Sequence, residues 1–166
     1  EFRYAGSMRF AGVFSALITP FDAQLAVDYE ALYRLVDSQI QGGVSALVPV
    51  GTTGESPTLD HHEHIEVIAK TVERAAKRVP VVGGTGANST REALSLSRAA
   101  AAVGVDAVMV VMPYYNKPTQ AGLIAHTRAV ADAVGPLPVM LYNIPGRTGV
   151  DLLPESVETI CRSCSN

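Results

Sequence analysis

DAVMVVM (residues 106–112), running into PYYNKP (113–118), is the stretch whose reading decides the fold. Ala107 to Met112 are all apolar, with no polar residue at alternate positions. Both faces of such a strand must be buried, which is the condition of a parallel strand covered by helices. Four other short, β-rich runs share the pattern: VFSALIT (13–19), SALVPV (45–50), VPVVGG (79–84) and LPVMLYN (137–143). Each of the five runs is followed by a helical pattern, over 28–42, 60–78, 90–104, 119–133 and 154–164. Ala31, Leu32, Leu35, Val36 and Ile40 repeat at three and four, giving the first helix one apolar stripe to bury against a sheet. Asp28, Thr90 and Pro154 read as cap or first-turn residues at helix starts. Strand starts recur about every 30 residues, the length of a βα repeat. The expected class is α/β.

The unusual polar residues gather at the carboxyl-terminal ends of these strands. Thr19-Pro20 follows the first, GTTGES (51–56) the second, GTGANS (84–89) the third, PYYNKP the fourth and YNIPGRTG (142–149) the fifth. In parallel α/β architectures that rim is where chemistry is placed. A complete (β/α)₈ barrel takes about 250 residues. Five βα units read as an incomplete barrel with two open strand edges, for which oligomerisation or limited stability is expected.

Composition narrows the function. The chain has 166 residues, 48% hydrophobic and 17% charged, with a formal charge of −3. One globular unit is expected, and no Lys/Arg block makes an electrostatic case for nucleic acid or an anionic membrane. No apolar run approaches the roughly 18 residues of a membrane span, and no basic-then-apolar leader is visible, so a cytoplasmic location is expected. EFRYAGS (1–7) has no periodicity and reads as a cloning-derived extension, with natural sequence from Met8. Cys161 and Cys164 are spaced C-x-x-C but lack further metal ligands or a strand-to-helix setting, which leaves them a structural or incidental role.

The rim motifs carry candidate chemistry. GTTGES offers two hydroxyls and glycine-flanked N–H groups, equipment for gripping a carboxylate or phosphate, against the plainer reading of a βα turn. GGTGANS lacks the third glycine of a dinucleotide fingerprint, and GTTGES has no G-K-[ST] of a P-loop. Asp60, His61, His62, Glu63 and His64 match no zinc motif and read as a solvated helix start, so neither metal nor cofactor is expected. PYYNKP sets Tyr114 and Tyr115 side by side; with Tyr142 on the next strand end, two phenols and the Thr53 hydroxyl can converge as a proton relay, with packing as the alternative role for the phenols. Arg147 suits bidentate capture of a carboxylate.

GTTGES, GTGAN, PYYNKP and YNIPGRTG, in this order and spacing, resemble the dihydrodipicolinate synthase (4-hydroxy-tetrahydrodipicolinate synthase) family from about Met8 to Asn166. The resemblance implies a (β/α)₈ TIM barrel of which residues 8–166 are the amino-terminal portion. It implies a pyruvate-dependent lyase that condenses pyruvate with aspartate 4-semialdehyde through a lysine Schiff base, on the diaminopimelate route to lysine. Thr52 and Thr53 would hold the pyruvate carboxylate, and Thr53 would link Tyr142 to Tyr115, which enters the site of a neighbouring subunit. Arg147 would bind the semialdehyde carboxylate. Lysine, as a feedback inhibitor, would meet Ser56, His61, His64, Asn88, Glu92 and Tyr114. The implied assembly is a homo-oligomer, a tetramer built as a dimer of dimers.

The family's Schiff-base lysine belongs to a sixth strand, and none of Lys70, Lys77 and Lys117 lies on an apolar strand here. The chain alone is therefore expected to be inactive. Two other readings stand beside this one: a non-catalytic fragment, and a related pyruvate aldolase such as an N-acetylneuraminate lyase-like enzyme, which the GRTG context disfavours.

Overall fold

A computed structural model describes residues 10–166; the expected extension 1–7 and the start at Met8 lie outside them. Five strands, β1 (Phe14–Ala16), β2 (Ala46–Val48), β3 (Val82–Gly84), β4 (Ala107–Val111) and β5 (Val139–Tyr142), run in chain order. The helices are α1 (Tyr29–Gln41), α2 (His61–Ala75), α3 (Thr90–Ala102), α4 (Gln120–Val134), α5 (Pro145–Thr148) and α6 (Pro154–Ser163). All strand pairs are parallel: β1 with β2, and β3 with β4 and β5. The two ladders are joined by a Leu47–Val81 bridge and by the Gly84 N–H, which donates to Pro49 O at 3.0 Å. Each of the five expected strand-and-helix pairs is present.

Burial on both strand faces is met by separate cores, with a third cluster of Met112, Leu123, Leu152 and Ile160 between the end of β4 and helices α4 and α6. Leu47, Val81, Val108 and Val110 pack outward with Leu32, Val36, Ile68 and Val130 of the helices. Their neighbours Val48, Val82 and Ala107 face the other way, against Phe10, Phe14, Met109 and Met140. Successive residues thus serve opposite faces, as the two-residue strand period requires.

The strands are shorter than the apolar runs, and the helix starts differ in detail. Val50 has φ +55°, a left-handed conformation costly for a β-branched residue, and it turns the chain out of the ladder just before GTTGES. Asp28 caps α1 by accepting from Ala31 N. The cap of α3 is Ser89 rather than Thr90; Thr90 is helical, and its hydroxyl meets His126 Nδ1 at 2.9 Å instead. Asp60 and Glu63 form a capping box, which accounts for the acidic part of the histidine-rich stretch. Within YNIPGRTG, Pro145–Thr148 form a full helical turn, α5, closed by Gly149 at φ +71°. Among the described residues no helix is long and apolar enough to cross a membrane.

Two buried histidines give the fold a pH dependence. His64 and His126 are each 4% exposed, and burial holds both below the ordinary value of 6.5. The unfolded chain therefore binds more protons than the folded one between the lowered values and 6.5. Stability is full above that window and declines as pH falls through it. Denaturant midpoints at pH 7.5 and 5.5 are expected to drop on acidification; a midpoint that rises over this interval contradicts the assignment of neutral buried rings.

Candidate functional site

Three cavities open at the carboxyl-terminal rim, divided by the short 3₁₀ turn Ser56–Thr58. Ser56 borders all three. The smallest, about 20 Å³, lies at the mouth of the sheet, where Thr52 and Tyr142 meet beside Gly84, Thr85 and Gly86. Tyr142 reaches it because it ends β5 in register with Val111. Thr85 is fixed beneath, its N–H on Met109 O at 2.9 Å and its hydroxyl on Ser97 at 2.8 Å.

The second is a groove of about 730 Å³, lined by Thr52, Tyr114, Tyr115, Lys117 and Arg147 among others. Its two walls are tied together: Tyr115 N–H donates to Thr148 O at 3.3 Å, joining the PYYNKP loop to α5. The α5 turn is braced in its turn. Thr148 Oγ1 donates to Val150 O at 2.8 Å, and Asn143 bridges Asp151 Oδ1 at 2.7 Å and the Leu152 N–H at 3.1 Å. Arg147 thus stands on a rigid support while its side chain is exposed. No aspartate or glutamate lines this groove, so its charge is uniformly positive.

The third cavity, about 690 Å³, is bounded by Ser56, His61, His64, Glu92 and Tyr114 among others, five of the six residues that the resemblance implies as a lysine-binding set. His61 Nε2 lies 3.0 Å from Glu92 Oε1. His64 donates Nε2–H to Gly84 O at 2.7 Å, and since burial keeps the ring neutral, Nδ1 is left as an acceptor. Burial first, and then the Glu92 charge, raise the Tyr114 phenol, which stays a proton donor. Asn88 is not in the lining; its backbone acts on the Tyr114 phenol in the opposite, lowering direction.

The expected relay is only partly assembled within one chain. Thr52 and Tyr142 share the small cavity, and Thr52, Tyr115 and Arg147 share the groove. Thr53 is exposed and lines none of the three cavities, and no hydrogen bond joins it to Tyr142 or Tyr115 among the described residues. Tyr115 lines the groove but is 89% exposed, at φ +74°. Sequence reasoning missed Ser56 as the shared wall and Lys117 as a groove residue. The signal for Lys117 was its place in the same motif as Tyr115; weighing it only as a Schiff-base amine hid that role.

The family model of the dihydrodipicolinate synthetase family matches residues 9–166. The chain is 57% identical over 152 residues to the 4-hydroxy-tetrahydrodipicolinate synthase of Ectopseudomonas mendocina, covering 92% of this chain and 52% of that protein. Among solved structures, it matches the chloride-inhibited dihydrodipicolinate synthase of Acinetobacter baumannii complexed with pyruvate (TM-score 0.88, 49% identity, 90% of this chain and 51% of that one). It also matches that of Cyanidioschyzon merolae with lysine bound (TM-score 0.91, 41% identity, 93% of this chain and 53% of that one). The chain spans about half the length of the curated relatives it matches. Its five parallel βα units are those of the (β/α)₈ barrels among these neighbours. With the family model covering all but the first eight residues, this chain belongs to the dihydrodipicolinate synthetase family.

Proposed function

We propose that the full-length protein carrying this chain is a 4-hydroxy-tetrahydrodipicolinate synthase, condensing pyruvate with L-aspartate 4-semialdehyde on the route to diaminopimelate and lysine. The observation that carries this reading is the meeting of Thr52 with Tyr142 in one cavity and with Arg147 in the adjoining groove. A pyruvate carboxylate accepts hydrogen bonds from the Thr52 and Thr53 hydroxyls and the glycine-flanked N–H groups of GTTGES. A lysine amine attacks the ketone carbon, and the Tyr142 phenol passes protons to and from the oxygen that leaves as water. The Schiff base so formed loses a proton from the pyruvate methyl to become an enamine, whose carbon then attacks the aldehyde of the second substrate, while Arg147 grips that substrate's carboxylate.

The amine is assigned to a lysine outside these 166 residues. Lys70 is paired with Glu73, and Lys77 with Asp106, both on the surface. Lys117 is exposed and does not line the cavity of Tyr142. A Schiff-base lysine needs burial or a close cation to free its amine. On this reading the chain by itself is inactive. Tyr115, exposed and backbone-strained, reaches into a neighbouring subunit's relay, as a dimer-of-dimers assembly in the cytoplasm provides.

The test is a coupled assay of the full-length protein with pyruvate and aspartate 4-semialdehyde. Condensation is the expected result. Turnover of pyruvate with a sugar aldehyde, and none with the semialdehyde, overturns the reading. The 690 Å³ cavity is read as the lysine feedback site, where Glu92 meets an ammonium and His64 Nδ1 accepts from one. Calorimetry with lysine is expected to show binding that weakens about tenfold or more in Glu92→Gln, the loss of one charge-assisted bond. No lysine binding to the native protein removes this assignment.

A further inference from the structure

We propose that Lys117 is a second carboxylate-binding residue of the groove, forming with Arg147 a two-cation clamp on the aldehyde substrate. The inference rests on the groove being the entrance for that substrate. Lys117 and Arg147 are the charged residues lining it, and no carboxylate shares the lining. Among the described residues neither has an ion-pair partner; Arg34, Arg91, Arg98 and Arg128 are unpaired as well, so what sets Lys117 and Arg147 apart is that they share one groove.

The position of Lys117 is built rather than incidental. Its backbone is held at φ +46°, two residues after Tyr115 at φ +74°, a costly pair of left-handed residues in one loop. That loop is pinned to α5 by the Tyr115 to Thr148 hydrogen bond. The lysine stem then passes over Gly149, where an added Cβ would stand 3.1 Å from Lys117 Cε. Gly149 closes the helical turn that carries Arg147, so the ammonium, one bond beyond Cε, is kept beside that turn. An unneutralised pair of cations in a concave site draws in an anion and strengthens its capture. Arg147 supplies the planar fork that sets orientation, and Lys117 supplies a point charge.

The clamp is tested in the full-length protein with Lys117→Gln, Lys117→Arg and Arg147→Gln. Lys117→Gln is expected to raise KM for aspartate 4-semialdehyde about tenfold, the loss of one charge-assisted contact, with kcat and the pyruvate KM within about twofold of native. Lys117→Arg, which keeps the charge, is expected to restore most of the loss. A semialdehyde KM unchanged in Lys117→Gln while Arg147→Gln raises it overturns the clamp. If the native protein turns over no semialdehyde, the functional reading fails instead. The clamp is then judged by NMR titration with L-2-aminobutyrate, a carboxylate probe without the aldehyde: about fivefold weaker binding in Lys117→Gln supports it, and equal binding overturns it.

Discussion

Gly84→Ala is expected to destabilise the full-length protein by about 3 kcal/mol or more, at or beyond the usual range for overpacking a core. Gly84 ends β3 where the chain crosses the turn out of β2. A Cβ there would overlap Val50 O and lie 2.7 Å from Val50 C and 3.0 Å from Gly51 N. These obstacles are backbone atoms, so no rotamer change relieves them. Val50 is already at φ +55°, and the Gly84 N–H is bonded to Pro49 O, which leaves the turn little freedom to retreat. The Gly84 carbonyl also holds His64, so displacement would disturb the 690 Å³ cavity that His64 lines as well. Gly146→Ala is the matched control, because a Cβ there meets nothing within 4 Å. Chemical denaturation of both variants checks the account. A loss below about 1 kcal/mol for Gly84→Ala would show that the two strand ends do not abut as described.

Tyr142→Phe in the full-length protein is expected to lower kcat for condensation by about 10²-fold or more, the contribution of a positioned acid–base group. The change removes one oxygen and leaves the ring. Tyr142 packs at the end of β5 beside Val111, so folding and the pyruvate KM are expected to change little. Retained secondary structure with lost turnover is the signature of a proton-transfer role. Unchanged kcat would return the phenol to the packing role that tyrosines at the edge of a core commonly have.

The βα order was legible because the strands carry apolar residues on both faces, while helices such as Tyr29–Gln41 carry one apolar stripe. Features that depend on spatial neighbours were not legible. The purpose of the glycines in GGTGAN is close approach: Gly84 against the backbone at Val50, Gly86 against that at Val111. Neither contact is visible in the spacing, which at most argues against a nucleotide fingerprint. The α5 turn was hidden because four residues give no helical period, and because its supports, Asn143 and Thr148, act through loop backbone. Ser89 and Thr90 are both good caps, and only the position of His126 shows why the second one is free for another partner.

The candidate site divided in the same way. Thr52, Tyr142 and Arg147 were found as residue types at strand ends, and topology gathers strand ends on one rim. Thr53 and Tyr115 share no cavity within one chain: Tyr115 lines the groove, 89% exposed, and Thr53 lines none of the three cavities. The effector set was drawn from resemblance, and five of its six members line one cavity.

The central claim is that this rim holds the substrate-binding and proton-transfer groups of a pyruvate Schiff-base lyase whose amine lies elsewhere. Incubating the full-length protein with pyruvate, reducing with borohydride and mapping the adduct by peptide mass spectrometry tests it most directly. The account predicts one pyruvate-derived adduct, on a lysine other than Lys70, Lys77 and Lys117. An adduct on any of these three, or none on the full-length protein, would contradict it.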